Sequence, residues 1–121
     1  MMQRFLIDGS WTFMGLADNL PAGHVTSRPE LDDGDVPVPG TARLTHLFLR
    51  RDYWGSGLAT ILHERMLESM RERGYTTCVL WTPVGAARAR AFYAKNAYDP
   101  TGRLDPDNSL GLELMEYKLA L

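Results

Sequence analysis

An amphipathic helix, entered through two glycines and held between two strand-type segments, most constrains what this chain can fold into. Leu58, Ile61, Leu62, Met66 and Met70 recur at helical spacing and form one apolar stripe. His63, Glu64, Glu68, Arg71 and Glu72 fall mostly off that stripe, which puts His63 on a polar, solvated face. Gly74 is placed to end the helix. Upstream, Thr41 to Arg50 reads as a strand with Ala42, Leu44, His46 and Phe48 on one face and Arg43, Thr45, Leu47 and Leu49 on the other. Downstream, Tyr75 to Thr82 is a strand of the buried type, stopped by Pro83.

The flanks extend this unit. Trp11 to Ala17 is rich in strand formers and closes at Asp18-Asn19-Leu20-Pro21, a turn signal. A short strand from about Gly23 to Ser27 is expected to return antiparallel to it. Arg28 to Gly40 carries Pro29, Pro37, Pro39, Gly34 and Gly40 and reads as a loop, with Glu30, Asp32, Asp33 and Asp35 as a solvated acidic surface. A second helix is expected from about Ala86 to Asn96, with Ala89, Phe92 and Tyr93 facing inward. Leu110 to Leu121 supplies one or two final strands. The expected order is β-β-β-α-β-α-β in a single α+β domain spanning residues 1–121, the whole 121-residue chain.

Composition narrows the function. The formal net charge is −2, so there is no general basic field for a nucleic-acid backbone. Cys78 is the one cysteine and lies in the apolar run Cys78-Val79-Leu80-Trp81; it reads as a small core residue, with no Cys/His metal spacing around it. No segment is long and apolar enough to span a membrane, and Met1 to Asp8 lacks a signal-peptide pattern. A cytoplasmic protein is the expectation.

The chemistry concentrates where strand meets helix. Gly55, Ser56, Gly57 and Ala59 are small and let a ligand approach the backbone. They stand where the first helical N–H groups have no intrahelical partner, at the positive end of the helix dipole, which suits a pyrophosphate. A dinucleotide fingerprint would want a third glycine where Thr60 stands and an acid ending the next strand, which instead ends Trp81-Thr82-Pro83. A Walker A loop is excluded by the lack of Gly-Lys-Ser/Thr.

Leu47 to Ala59 resembles the acetyl-CoA motif of the GCN5-related N-acetyltransferases (GNATs), Gln/Arg-x-x-Gly-x-Gly/Ala. Gly57 and Ala59 match its small positions, and Trp54 occupies the Gln/Arg position, a departure that removes a polar or cationic contact near the phosphates. Arg88 to Tyr98 resembles the family's second signature, Asn-x-x-Ala-x-x-Phe-Tyr followed by Gly-Phe. Ala89, Phe92 and Tyr93 match; the Asn falls on Ala86 and the Gly-Phe pair on Ala97-Tyr98.

This resemblance, from about Trp11 to Leu121, implies an α/β/α layered fold with a mixed, mostly antiparallel sheet splayed near its centre. It implies an enzyme that transfers acetyl from acetyl-CoA to a primary amine by direct attack within a ternary complex. Trp54, Gly55, Ser56, Gly57, Leu58, Ala59 and Thr60 would line the pyrophosphate site, backbone groups of Phe48 and Leu49 would pair with the pantetheine arm, and Tyr93 would protonate the thiolate. A phenol suits that role, since it stays protonated at neutral pH. The family domain also begins with a strand and two helices ahead of the segment at Trp11, which are here expected to be shortened or missing; a sheet edge or face left open by them would favour a homodimer. No metal is called for. His46 and, less readily, His24 are candidate general bases, although the alternation with Leu44 and Phe48 reads His46 as a packed core histidine. The acceptor, a small molecule or a peptide, stays open. The alternative is a non-catalytic CoA-binding or interaction module on the same fold.

Overall fold

The computed structural model describes residues 9–106 and 111–121. Met1 to Asp8 and the start of the tail at Leu110, both read from sequence above, lie outside the described residues. The elements run β1 (Trp11–Ala17), β2 (Leu20–Leu31), β3 (Pro37–Leu49), α1 (Leu58–Glu72), β4 (Thr77–Pro83), α2 (Ala87–Lys95), β5 (Asp99–Asp105) and β6 (Leu114–Ala120), with a 3₁₀ turn at Arg51–Tyr53. The six strands form one sheet in the order β1-β2-β3-β4-β6-β5. Only β3 and β4 pair in parallel, because α1 crosses over between them; every other pair is antiparallel. The chain thus takes the mixed α+β architecture expected.

The α1 stripe drives the packing. Leu62, Met66 and Met70 are buried against Val25, Ala42, Leu44, Cys78, Leu80 and Tyr117, which are the same-face residues of β2, β3, β4 and β6. At the N-terminal end of the sheet, the Trp11 indole N–H donates to Ser69 Oγ at 2.9 Å and its ring stacks on Tyr75. Helix α2 lies on the same sheet face as α1: its Phe92 ring meets His63 edge-on, and Arg90 donates to the Tyr117 hydroxyl. The opposite sheet face carries no helix among the described residues.

Four expectations are corrected. Arg28 to Gly40 is not a loop: β2 runs on to Leu31 and β3 begins at Pro37, leaving a turn built on Asp32, whose Oδ1 accepts N–H groups of Gly34 and Val36. Pro37 and Pro39 are tolerated because this end of β3 extends beyond β4 and is paired on the β2 side alone, so on the β4 side no strand needs a missing N–H. Glu30, expected to be solvated, is buried and holds Arg43 Nε at 3.0 Å. The face assignment of β3 also fails past Leu44. The register with β2 slips between Leu44, opposite Ser27, and His46, opposite Thr26, so Thr45 is a bulge residue. The bulge reverses the alternation: Leu47 and Leu49 join Ala42 and Leu44 on the helix side, while His46 and Phe48 turn to the other face and are exposed. Finally, His63 is almost fully buried, its Nε2 2.7 Å from the Tyr98 hydroxyl.

The tail forms one strand, β6, and the sequence reading missed β5, whose residues Asp99 to Leu104 are exposed at the sheet edge and show no apolar alternation.

Candidate active site

Strands β3 and β4 pair at only three positions, Thr41–Thr77, Ala42–Cys78 and Arg43–Val79. Beyond them both strands continue, β3 to Leu49 and β4 to Pro83, so the sheet opens into a cleft. Backbone direction decides what faces that cleft. Arg50 N–H donates to Ala22 on β2, and the Phe48 carbonyl lies against Gly23, where an added Cβ would sit 2.5 Å away. Alternation then turns the backbone groups of Leu47 and Leu49 to the open side. The Leu49 carbonyl there accepts the Trp54 indole N–H at 3.2 Å.

At the mouth of the cleft the chain turns through Trp54 to Gly57. Gly55 and Gly57 have φ of 79° and 90°, and Gly57 caps α1 in the left-handed region that favours glycine. A Cβ on either would meet nothing within 4 Å, so the space over this loop is open. Ser56 Oγ accepts the Leu58 N–H, and the Ile61 N–H reaches Gly57 O. The N–H groups of Ala59 and Thr60, in the same first turn, have no partner within the helix.

The loop, the cleft and α2 line an open cavity of about 760 Å³, within the size range of small-molecule sites. Leu49, Trp54, Gly55, Gly57, Ala59, Thr60 and Tyr93 all line it. The structure therefore brings these seven sequence-predicted residues together. Phe48, Ser56 and Leu58 are not on the wall: Phe48 points to the other sheet face, Ser56 is turned to Tyr53 and the helix cap, and Leu58 packs toward the core and would meet a side chain at Gly15. Sequence reasoning missed Leu47, hidden by the bulge, and Arg88 and Lys95. The latter had a signal: Arg88, Phe92 and Lys95 stand at i, i+4, i+7 on α2 and share one face.

Tyr93 is packed among Phe92, Tyr98 and Tyr117, and burial raises its pKa above the usual phenol value, with Cys78 adding to the rise. It is a protonated donor at any physiological pH. Behind it, Tyr98 links His63 to Cys78, whose Sγ is 3.5 Å from the Tyr98 hydroxyl. Burial lowers His63 to about 4 and raises Cys78 to about 11, so both are neutral near pH 7. Across the sheet, His24 lies 6.4 Å from His46 and 5.6 Å from Phe48, ring to ring. Burial, then the charge of His46, lowers the His24 pKa.

The family model for the acetyltransferase (GNAT) family matches residues 3–98. The chain belongs to this family. Solved GNAT structures share the fold. An acetyltransferase of the GNAT family from Desulfovibrio desulfuricans superposes with a TM-score of 0.82 at 19% identity, over 98% of this chain and 73% of that one. The ribosomal-protein-S18-alanine N-acetyltransferase of Escherichia coli gives 0.78 at 17% identity, over 98% and 74%. The PaiA N-acetyltransferase of Thermoplasma acidophilum, in complex with coenzyme A, gives 0.69 at 19%, over 98% and 65%. This GNAT chain thus spans about two thirds to three quarters of their lengths, and at such identity the likeness speaks for the fold. No curated protein matches the sequence. The acetyltransferase class expected from the two motifs stands. Among the described residues no helix is long and apolar enough to cross a membrane, and no cluster of His, Cys, Asp or Glu could hold a metal ion.

Proposed function

We propose that the chain is an N-acetyltransferase that takes acetyl from acetyl-CoA and passes it to a primary amine in a ternary complex. The observation that carries this reading is the convergence of both GNAT motifs, one at Gly55–Thr60 and the other at Ala89–Tyr93, on the walls of a single cavity beside the β3–β4 cleft. The wall suits the ligand: it is mostly apolar, it carries Arg88 and Lys95, and it contains no acid among the described residues.

Acetyl-CoA would supply an activated thioester carbonyl. The N–H groups of Ala59 and Thr60 and the open backbone at Gly55 and Gly57 would hold its pyrophosphate. The open-side backbone groups of Leu47 and Leu49 would align the pantetheine amides, as an added strand is aligned, and the second lone pair of the Leu49 carbonyl leaves its Trp54 donor in place. The neutral amine attacks the carbonyl carbon, a C–N bond forms and the C–S bond breaks. Tyr93 gives its proton to the departing sulfur, and the proton lost by the amine passes to water or a base. His46 is exposed on the sheet face away from the cavity and is not a packed core histidine.

The test is release of the CoA thiol from acetyl-CoA in the presence of a panel of primary amines: small diamines, amino acids and N-terminal peptides. Thiol release that depends on one amine class, with a matching acetylated product by mass spectrometry, supports the reading. Binding of CoA without turnover across the panel would support instead a binding module on the same fold.

A further inference from the structure

We propose that Arg88, laid over the Trp54 indole, is the cation that grips the pyrophosphate of CoA in this chain, the two side chains acting as one unit. The inference rests on the acetyl-CoA reading above and deepens it. Trp54 is a large aromatic side chain left 48% exposed on a loop, yet it is not free to swing, since its N–H donates to Leu49 O at 3.2 Å. The Arg88 guanidinium lies 4.8 Å from its ring centroid, with Arg51 at 5.5 Å.

Arg88 enters none of the ion pairs among the described residues. The next arginine on α2, Arg90, is instead tied to Tyr117 Oη and the Val84 carbonyl. A guanidinium held by its face keeps its in-plane N–H donors free, and a fork of such donors fits phosphate oxygens. Its position is also the right one: Arg88 and Trp54 line the same cavity as Gly55 and Gly57, where the space over the backbone is open. The sequence loses a polar side chain at position 54, and the stacked pair brings a charge to that place from the opposite wall. Holding the arginine on the ring before the ligand arrives lowers the ordering cost of binding.

The experiment is calorimetric titration of the wild type, Arg88→Ala, Trp54→Ala and the double variant with CoA and with dephospho-CoA, which keeps the pyrophosphate but lacks the ribose 3′-phosphate. Circular dichroism establishes that each variant is folded. A charge-assisted contact predicts that Arg88→Ala weakens both ligands by about 10- to 100-fold. It also predicts that Trp54→Ala weakens both in the same direction and that the double variant loses less than the product of the two. Arg88→Ala binding CoA within twofold of wild type would overturn the proposal, as would strictly multiplicative losses. A loss for CoA with none for dephospho-CoA would move the contact to the 3′-phosphate and overturn the pyrophosphate assignment. A wild type that binds neither ligand would overturn the acetyl-CoA reading itself, which the variants alone could not do.

Discussion

Tyr93 at the cavity wall and His63 buried behind it sit in environments that give them different roles. Tyr93 is half-buried at the cavity wall and kept protonated, which fits a donor to a thiolate. Tyr93→Phe should lower kcat by roughly 100-fold or more while leaving acetyl-CoA affinity within a few fold; steady-state kinetics together with a binding titration would separate the two. His63 is the opposite case, a buried neutral imidazole bound to Tyr98. Unfolded, it takes up a proton near its ordinary 6.5; folded, only near 4. The unfolded chain therefore binds more protons in that window, so the stability His63 contributes is complete above about pH 6.5 and is lost as pH falls toward 4. Replacing it with a group that cannot titrate, His63→Gln, should flatten this part of the pH dependence of Tm, although it lowers stability at pH 7. Cys78, fully buried and shifted up to about 11, should resist an alkylating thiol reagent at pH 7 until the chain unfolds.

At the level of elements, α1 is both the main packing surface and the floor of the ligand loop. Met66→Ala removes a fully buried side chain from the centre of its stripe and should cost about 2–5 kcal/mol in denaturant unfolding. Gly57→Glu places a bulky anion, at a φ of 90°, where the pyrophosphate would lie; it should abolish CoA binding in a chain that still folds. Long periodic segments were readable from the sequence for this reason: the α1 stripe and β4 each bury a run of residues whose spacing states its own secondary structure, and α2 repeats half-buried Ala89, Phe92 and Tyr93 at helical spacing. The hairpin end from Arg28 to Gly40 was not, because its prolines sit where pairing is one-sided, a tertiary fact. Nor was the bulge at Thr45 legible, and it alone exchanged Phe48 for Leu47 at the cavity and moved His46 from core to surface. His63 was misread because its face is covered by residues distant in sequence, Phe92 of α2 and Tyr98 beyond it. Of the candidate site, the glycine loop and Tyr93 were legible as motifs, whereas the lining by Arg88 and Lys95 required knowing which way α2 faces.

Across the whole molecule, the sheet works as a divider. One face carries both helices, the core and the candidate cofactor cavity; the other carries ion pairs such as Arg43–Glu30 and Arg103–Glu116 and the His24–His46–Phe48 cluster. Between the two faces, the sheet opens where β3 and β4 part. On the proposed reading, a donor held on the helix side would meet an acceptor arriving from the other face at that gap. An acetyltransferase of this kind requires that the cavity take the donor. Titration calorimetry of the chain with acetyl-CoA, with NAD as the comparison, measures that directly. The account predicts saturable micromolar binding of acetyl-CoA, weakened by added salt because the contacts are charged, and none of NAD. Absence of acetyl-CoA binding by a folded chain would contradict it.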